Sequence, residues 1–264
     1  MNWIQLIIGL VLASGIAVAG YLAGALSRSG AWAAVVVGTI TFGVGGLLPA
    51  VLLVVFFVSS SSLSRIGRIR KREVSKAFAK GGQRDYAQVI ANGGVAVILA
   101  AMYGMTDHMI WLAGLAGALA AVNADTWSTE LGVLARRWPR MITSGMRVEP
   151  GTSGGITWEG TLAALGGAMT IGIIAGVGVG ELKLGSIVIV GGFLGAMVDS
   201  LLGASVQAIY YCPVCNKQTE RHPYHSCNTA TQYDKGWRWL SNDGVNFIAS
   251  LVGALLPVIF WQSL

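Results

Sequence analysis

Long uncharged stretches divide the chain into seven apolar runs. Six of them approach or exceed the roughly 20 residues that an α-helix needs to cross a membrane, and one, 108–123, is shorter. The pattern therefore predicts an all-α fold, a polytopic transmembrane helical bundle of about 7 to 8 helices that forms one integral membrane domain over residues 1–264. The runs are 3–26, 30–62, 86–106, 108–123, 156–180, 184–209 and 244–262.

The second run, 30–62, is too long for a single crossing. Its sequence GVGGLLP at 43–49 contains the residues that most often interrupt helices, which predicts two short helices in this region. The bundle then has eight helices, with the N-terminus outside. The first run lacks a preceding basic segment and a clean cleavage site, so it is interpreted as a retained helix and not as a signal peptide.

The charge distribution predicts which loops are cytoplasmic. Charged residues make up only 11% of the chain, against roughly 25% in a soluble domain. Sixteen of the 18 Lys and Arg residues lie in 65–84, 136–147 and 217–238, and even numbers of predicted helices separate these segments. A net charge of +6 could suggest a nucleic-acid partner, but the distribution argues against one. Under the positive-inside rule it indicates a multi-pass protein of the cell (inner) membrane with cytoplasmic basic loops.

Three cytoplasmic loops follow from this topology: a basic loop at 63–85, a glycine-rich loop at 136–155 and a Cys/His loop at 210–242. Arg28 lies on the same side only if 30–62 crosses twice. The 37 glycines include several at helix-contact spacing, as in GLAGALA, which is compatible with a homodimer and equally with internal packing.

The sequence NADTWSTELG at 123–132 places two carboxylates in or next to the membrane. A buried carboxylate is costly unless it meets a cavity, a cation or a partner, so Asp125 and Glu130 are candidate functional residues. On a helix, Thr126 and Thr129 lie on the same oxygen-rich surface, which suits magnesium. Alternatively, this sequence marks a helix end, with Asn123 or Asp125 as the N-cap.

A second acidic position lies in GAMVDSLLGASVQ. Asp199, Gly203 and Gln207 are spaced by four residues, which predicts one stripe along the seventh helix. The alternative is a single buried aspartate bonded to a neighbouring helix. Taken with Asp125 and Glu130, Asp199 completes a predicted three-carboxylate magnesium site.

The loop RVEPGTSGGIT at 147–157 leads into the sixth helix. Its glycines and hydroxyls can turn backbone N–H groups toward a phosphate at the helix N-terminus, although it is not a Walker A loop and a simple interfacial turn is the alternative. Arginines beside it, including Arg137 and Arg147, are expected to contact phosphates or anionic lipid. The candidate residues of this loop are Gly151, Thr152, Ser153, Gly154, Gly155 and Thr157.

Two further clusters contain amides at helical spacing. SNDGVNF opens the last helix with Asn242, Asp243 and Asn246, and QRDYAQVIANGG places Asn92 just inside the fourth helix. Amides that face carboxylates could position a polar head group or a metal, whereas an N-cap with interfacial tryptophans is the alternative. These positions, together with Asn123 and Gln207, are predicted to bind substrate.

All three cysteines lie in CPVCNKQTERHPYHSC. Cys212, Cys215 and Cys227, with His222 or His225 as the fourth ligand, have the composition of a structural Cys3His zinc site. A reducing cytosol would keep the thiols available for metal. A metal-free loop and a disulfide pair are the alternatives.

The motifs NADTWSTELG, EPGTSGGIT, GAMVDSLLGASVQ and NDGVNF, preceded by QRDYAQVIANGG, resemble the integral-membrane family that includes chloroplast phytyl-phosphate kinase and vertebrate transmembrane protein nineteen. The resemblance runs from about residue 10 to the C-terminus. It implies phosphoryl transfer from a nucleoside triphosphate to an isoprenyl monophosphate in the bilayer, with CTP favoured over ATP. The Cys/His loop is not expected in every member.

Magnesium at the acidic residues and phosphate contacts from the glycine-rich loop fit that reaction, because phosphoryl transfer depends on positioning and charge neutralisation. A lipid-phosphate cytidylyltransferase is a related alternative. Other classes are an ion- or proton-coupled transporter that uses the acids as a relay, and a non-catalytic scaffold whose basic loop binds lipid. The sequence shows no inverted repeat, which argues against the transporter hypothesis.

Overall fold

A computed structural model describes residues 3–67 and 83–262 of the chain. Within them, eight α-helices account for most of the residues, and the predicted helical bundle is confirmed. The helices are α1 (Trp3–Leu22), α2 (Arg28–Gly43), α3 (Leu47–Leu63), α4 (Tyr86–Thr106), α5 (Met109–Gly132), α6 (Trp158–Val179), α7 (Leu182–Ser205) and α8 (Asn242–Gln262).

Six of these helices, all except α2 and α3, are long and apolar enough to cross a membrane. The predicted interruption of the second run is confirmed: α2 ends at Gly43, α3 begins at Leu47, and α3 is a shorter apolar helix. Most of the predicted basic loop at 63–85 falls on residues 68–82, which lie outside the described residues.

The helix ends alternate between two sides of the bundle. On one side, the backbone N–H of Ser27, just before α2, donates to the carbonyl of Arg84, just before α4, at 3.0 Å. On the opposite side, the turn between α2 and α3 packs against the end of α4, where a Cβ on Gly104 would lie 1.8 Å from the Val44 carbonyl oxygen. The described connections that contain most of the basic residues therefore share one side, together with Arg28.

Side-chain caps fix the start of several helices on this side. Ser27 accepts a hydrogen bond from Gly30 N, and Thr157 accepts one from Gly160 N. Asp85 and Gln88 form a complete capping box at the start of α4. These caps satisfy N–H groups that the first helical turn leaves without partners, so the helix starts beside the connections are well defined.

Two small sheets stand in the connections and were not predicted. Strands β1 (Arg140–Met141) and β2 (Gly155–Ile156) form an antiparallel pair between α5 and α6. Strands β3 (Ile209–Cys212), β4 (Lys217–Thr219) and β5 (Gln232–Lys235) form an antiparallel sheet of order β4-β3-β5 between α7 and α8.

Helix α5 occupies the centre of the bundle. The apolar part of α5 is 72% buried, against 22–44% in the other five long helices. Small residues allow its neighbours to approach closely: a Cβ on Gly192 of α7 would lie 2.4 Å from the Ala120 Cβ, and one on Gly253 of α8 would lie 2.7 Å from the Gly117 carbonyl oxygen. The glycine spacing thus serves internal packing.

Two helix boundaries differ from the predicted ones. The motif at 123–132 continues α5, so the hypothesis that Asn123 or Asp125 is an N-cap is wrong. Helix α7 ends at Ser205, so Gln207 lies beyond the helix and does not continue a stripe from Asp199. The C-terminal turn places Gln207 against the following loop instead.

We predict that Gly167→Ala lowers the stability of the bundle by about 1 to 3 kcal/mol, because overpacking forces backbones apart. A Cβ at this position would lie 2.9 Å from the Asn123 carbonyl oxygen. The matched control is Gly166→Ala, whose Cβ would meet only the Trp127 ring, at 3.6 Å. Thermal unfolding in detergent should separate the two variants, and equal midpoints would contradict this account of the packing.

Candidate active site

A polar cavity of about 620 Å³ opens on the side of the bundle that carries the basic connections. Its walls come from the C-terminal ends of α3, α5 and α7 and the N-terminal ends of α4, α6 and α8. Helix N-termini present partially positive N–H groups. The cavity is therefore suited to an anionic ligand such as a phosphate.

Most of the predicted site residues line this one cavity, although they come from five separate segments of the chain. They are Asn92, Asp125, Thr126, Thr129, Glu130, Arg137, Gly151, Thr152, Ser153, Gly154, Gly155, Thr157, Asp199, Gln207, Asn242, Asp243 and Asn246.

Asn123 does not line the cavity, although it was predicted to bind substrate. The residue is fully buried, and its Nδ2 donates to the Gly167 carbonyl oxygen at 2.8 Å. Its Oδ1 accepts from Ser59 Oγ at 3.0 Å. Both ends of the amide are thus used to join α5 to α6 and α3.

Arg147 also lies outside the lining. It is exposed in the turn that follows β1, where its backbone pairs with Arg140. Arg140 in turn donates from Nη1 to the Gly145 carbonyl oxygen at 2.7 Å. Arg137, which precedes this turn, does line the cavity.

Asp125 and Asp199 form the most acidic part of the cavity. Their carboxyl groups, from α5 and α7, lie within hydrogen-bonding distance of each other. Oxygen Oδ2 of Asp199 is buried and has no hydrogen-bonding partner within 3–67 and 83–262. Two adjacent carboxylates repel each other unless a proton or a cation compensates their charge.

The third acid that acts on this pair is Glu220, which was not predicted. Its charge acts on both aspartates. Ser153 Oγ donates to its Oε1 at 2.8 Å, and Gln207 Nε2 donates to the same oxygen at 2.7 Å. These bonds hold Glu220, which directly follows β4, between the glycine-rich loop and the end of α7.

Glu130 occupies a different part of the cavity. It accepts a hydrogen bond from Ser64 Oγ of the α3 end, and its charge acts on Arg84. Arg84 donates from Nη1 to Ser61 Oγ at 2.9 Å. Burial lowers the pKa of the Arg84 guanidinium and the charge of Glu130 opposes this shift, so Arg84 stays a cation at neutral pH.

The glycine-rich loop packs tightly against α7. Gly154 has φ +77°, and a Cβ there would lie 2.4 Å from the Ala204 Cβ, so both the conformation and the space require glycine. The Thr152 hydroxyl donates to the Glu149 carbonyl oxygen at 2.8 Å. The loop is therefore held as one wall of the cavity before α6 begins.

An apolar groove adjoins the polar cavity. It is lined by side chains of α1 to α4, among them Ala17, Ala34 and Phe57. Arg84 and Asn92 line both spaces. A ligand with a charged head and an apolar tail could therefore place its head in the cavity and its tail in the groove.

The Cys/His loop brings together four of the five predicted zinc ligands. The donor atoms of Cys212, Cys215, His225 and Cys227 all lie within 4.8 Å of one another. His222 is separate and stacks on Tyr210, with 4.3 Å between ring centroids. Of the two candidate histidines, His225 is the one placed to bind a metal.

Arg84 and Glu220 are charged residues of the cavity that the sequence analysis did not single out. Arg84 belongs to a basic segment that was interpreted only as a cytoplasmic loop. Glu220 lies between Cys215 and His222 and follows no recognisable motif. Both lie in loops, where a charged residue is ordinary, so only their tertiary contacts identify them.

The fold is that of a polytopic membrane protein. Its cavity opens on one side of the bundle and is lined both by acidic side chains and by helix N-termini that favour anions. The chain belongs to the integral membrane protein family DUF92, which it matches over residues 11–254. This membership confirms the resemblance found in the sequence.

Several relatives are similar over most of the chain. Protein PGR of Arabidopsis thaliana is 34% identical over 97% of this chain and 96% of its own length. An uncharacterised membrane protein of Methanocaldococcus jannaschii is 32% identical over 81% of this chain and 76% of its own length. Protein VTE6, chloroplastic, of Arabidopsis thaliana is 24% identical over 90% of this chain and 66% of its own length. No solved structure matches the chain.

We predict that Asn123→Ala lowers stability by about 1 to 3 kcal/mol, because it removes two buried hydrogen bonds, one to the Gly167 carbonyl oxygen and one from Ser59 Oγ. Asn246→Ala is the control, since Asn246 lines the cavity and alanine favours the helix. Thermal unfolding in detergent should show a lower midpoint for the first variant only. A stable but inactive Asn123→Ala protein would instead restore the predicted role in substrate binding.

Proposed function

We propose that the chain is a membrane prenyl-phosphate kinase. It transfers a phosphoryl group from a nucleoside triphosphate, with CTP favoured, to an isoprenyl monophosphate such as phytyl or geranylgeranyl phosphate. The observation that carries the proposal is that a polar cavity with acidic and basic residues and an apolar groove among α1 to α4 have Arg84, Gln88 and Asn92 in common.

The carboxylate pair supports a magnesium site. Asp125 and Asp199 supply the hard oxygen donors that magnesium prefers, and the buried Asp199 Oδ2 has no other partner in the described part of the chain. Glu220 is held beside them. Magnesium, when bound, would neutralise charge on the phosphates of the donor nucleotide. Glu130 belongs to the same cavity but is paired with Ser64 and the Arg84 charge.

The other wall of the cavity supports phosphate binding. The N-termini of α4, α6 and α8 point their positive ends toward it, and Arg84 and Arg137 add cationic charge. The glycine-rich loop, from Gly151 to Thr157, brings backbone close to the acidic pair. These groups would hold the two phosphate-bearing substrates side by side, which is the main requirement of phosphoryl transfer.

The proposed reaction needs no strong general base. An oxygen of the prenyl phosphate is already ionised at neutral pH and attacks the γ-phosphorus of the nucleotide. The new P–O bond forms as the bond to the β-phosphate oxygen breaks, and the nucleoside diphosphate leaves with the electron pair. The lack of any histidine among the described residues that line the cavity agrees with this scheme.

The apolar groove supports a lipid acceptor. Its walls are carbon-rich, and its polar end is formed by Arg84, Gln88 and Asn92, which are shared with the cavity. A monophosphate placed at Arg84 would leave its isoprenyl chain among α1 to α4. The family membership and the similarity to VTE6 support the same reaction class.

We further propose that the cavity faces the cytoplasm of the cell. The described basic residues cluster on that side, as the positive-inside rule requires, and nucleoside triphosphates are cytoplasmic.

The first test is an assay of detergent-purified protein with magnesium, labelled CTP or ATP and a prenyl monophosphate. We expect a labelled prenyl diphosphate. Asp125→Asn and Asp199→Asn should each lower turnover about 100-fold or more, which corresponds to about 2.7 kcal/mol of lost charge stabilisation.

Asp107→Asn is the matched control for these variants. Asp107 is exposed at the end of α4 opposite the cavity and has φ 55°, a conformation that asparagine also adopts. Pyrophosphate release in place of a nucleoside diphosphate would indicate cytidylyl transfer. If folded protein gave no product with any donor and acceptor, the kinase proposal would fail and ion flux would be measured next.

A second test concerns the lipid tail. Ala34→Phe should fill the apolar groove and raise the KM for a long prenyl phosphate about tenfold, since overpacking costs about 1 to 3 kcal/mol. The KM for a short, soluble prenyl phosphate should change much less. Val36→Phe, on the exposed surface of the same helix, is the control. An equal effect on long and short acceptors would exclude this groove as the tail site.

A further inference from the structure

We infer that the connection between α7 and α8 binds a structural zinc ion through Cys212, Cys215, His225 and Cys227, and that this ion positions Glu220 in the cavity. The zinc site follows from the loop geometry alone. Its effect on Glu220 rests on the proposed function.

The spacing of the donor atoms fits a tetrahedral zinc. Zn–S bonds of about 2.3 Å place neighbouring sulfurs about 3.8 Å apart. The Sγ atoms of Cys212 and Cys227 are 3.6 Å apart, and His225 Nδ1 lies 3.2 Å from Cys227 Sγ. The thiols are free, so the cysteines converge without a disulfide.

Two similar turns supply the ligands in pairs. The first carries Cys212 and Cys215, and the backbone N–H of Cys215 points at Cys212 Sγ, 3.5 Å away. The second carries His225 and Cys227. Each pair is followed at once by an asparagine with a left-handed backbone, Asn216 at φ 51° and Asn228 at φ 62°. The turns thus fold back so that both pairs point to one centre.

The chemistry of the donor set selects zinc. Three sulfurs and one imidazole form a soft, closed, four-ligand set, which is typical of structural zinc and unsuited to magnesium. His222 is not part of the set, because it stacks on Tyr210 and its Nδ1 lies 3.5 Å from Thr231 Oγ1. The zinc would therefore be separate from the magnesium proposed for the acidic pair.

The same two turns determine the position of Glu220. Cys212 ends β3 and Cys215 precedes β4, so the metal would join the two ends of this hairpin. Glu220 directly follows Thr219, which is the last residue of β4 and is buried. From there it accepts bonds from Ser153 and Gln207 at the cavity wall. Loss of the ion would loosen the hairpin turn and β4, and with it the position of Glu220, which follows β4.

Metal analysis of protein purified under reducing conditions tests the site directly. We expect about one zinc per chain. Cys212→Ser and His225→Asn should reduce the content to background, whereas His222→Asn should keep it. Cobalt exchanged for zinc in the unmodified protein should give the intense visible absorption of a tetrahedral thiolate site, so the test does not depend on a variant that folds.

Two results would overturn the zinc site: unmodified, folded protein without zinc and without a cobalt spectrum, or retention of zinc by both Cys212→Ser and His225→Asn. The link to Glu220 has its own readout. Glu220→Gln should keep zinc and lose turnover, and chelation of zinc should lower turnover to a similar level. Full turnover after complete zinc removal would refute the positioning role. A zinc-loaded protein without kinase activity would refute only the proposed function.

Discussion

The close approach of neighbouring helices to α5 is the constraint on which the rest of the structure depends. Lipid tails are as apolar as leucine side chains, so helices in a bilayer gain little from burial and associate through close packing and hydrogen bonds. Gly167, Gly192 and Gly253, from three different helices, contact α5 where an added Cβ would overlap it. Because α5 is enclosed in this way, Asp125, directly after its last buried alanine, lies against the neighbouring helix that carries Asp199.

This packing concentrates negative charge at a defined point of the cavity. Asp125 and Asp199 lie within hydrogen-bonding distance of each other, and Glu220 adds a third carboxylate, while three helix N-termini and Arg84 line the same cavity. A cation bound to the carboxylates would reduce their repulsion of a nearby phosphate. A phosphate at the helix ends would in turn supply further negative charge for the cation. In the proposed reaction, we therefore expect the metal and the nucleotide each to bind more tightly when the other is present.

The sequence predicted the helices, the interruption near Gly43 and the common side of the basic connections, because periodicity and charge are local properties. It also identified Asp125 and Asp199, since an acid inside an apolar helix is costly and thus conspicuous. Asn123 meets the same criterion, but its partners lie 44 and 64 residues away, so only the folded chain distinguishes a structural amide from a ligand. Glu220 lies in a loop where charges are common, and its role arises entirely from tertiary contacts.

The walls of the cavity are fixed by two different physical means. The helix ends are held by the buried core, whereas the connection from α7 to α8 contains three short strands in which only Ile209, Cys212 and Thr219 are buried. So small a sheet cannot bury enough apolar surface to hold one conformation by itself, and domains of this kind usually need a cross-link or a metal. A metal bound by Cys212, Cys215, His225 and Cys227 would provide such a cross-link at the turn of the β3–β4 hairpin. The position of Glu220 would then depend on a metal that lies outside the proposed active site.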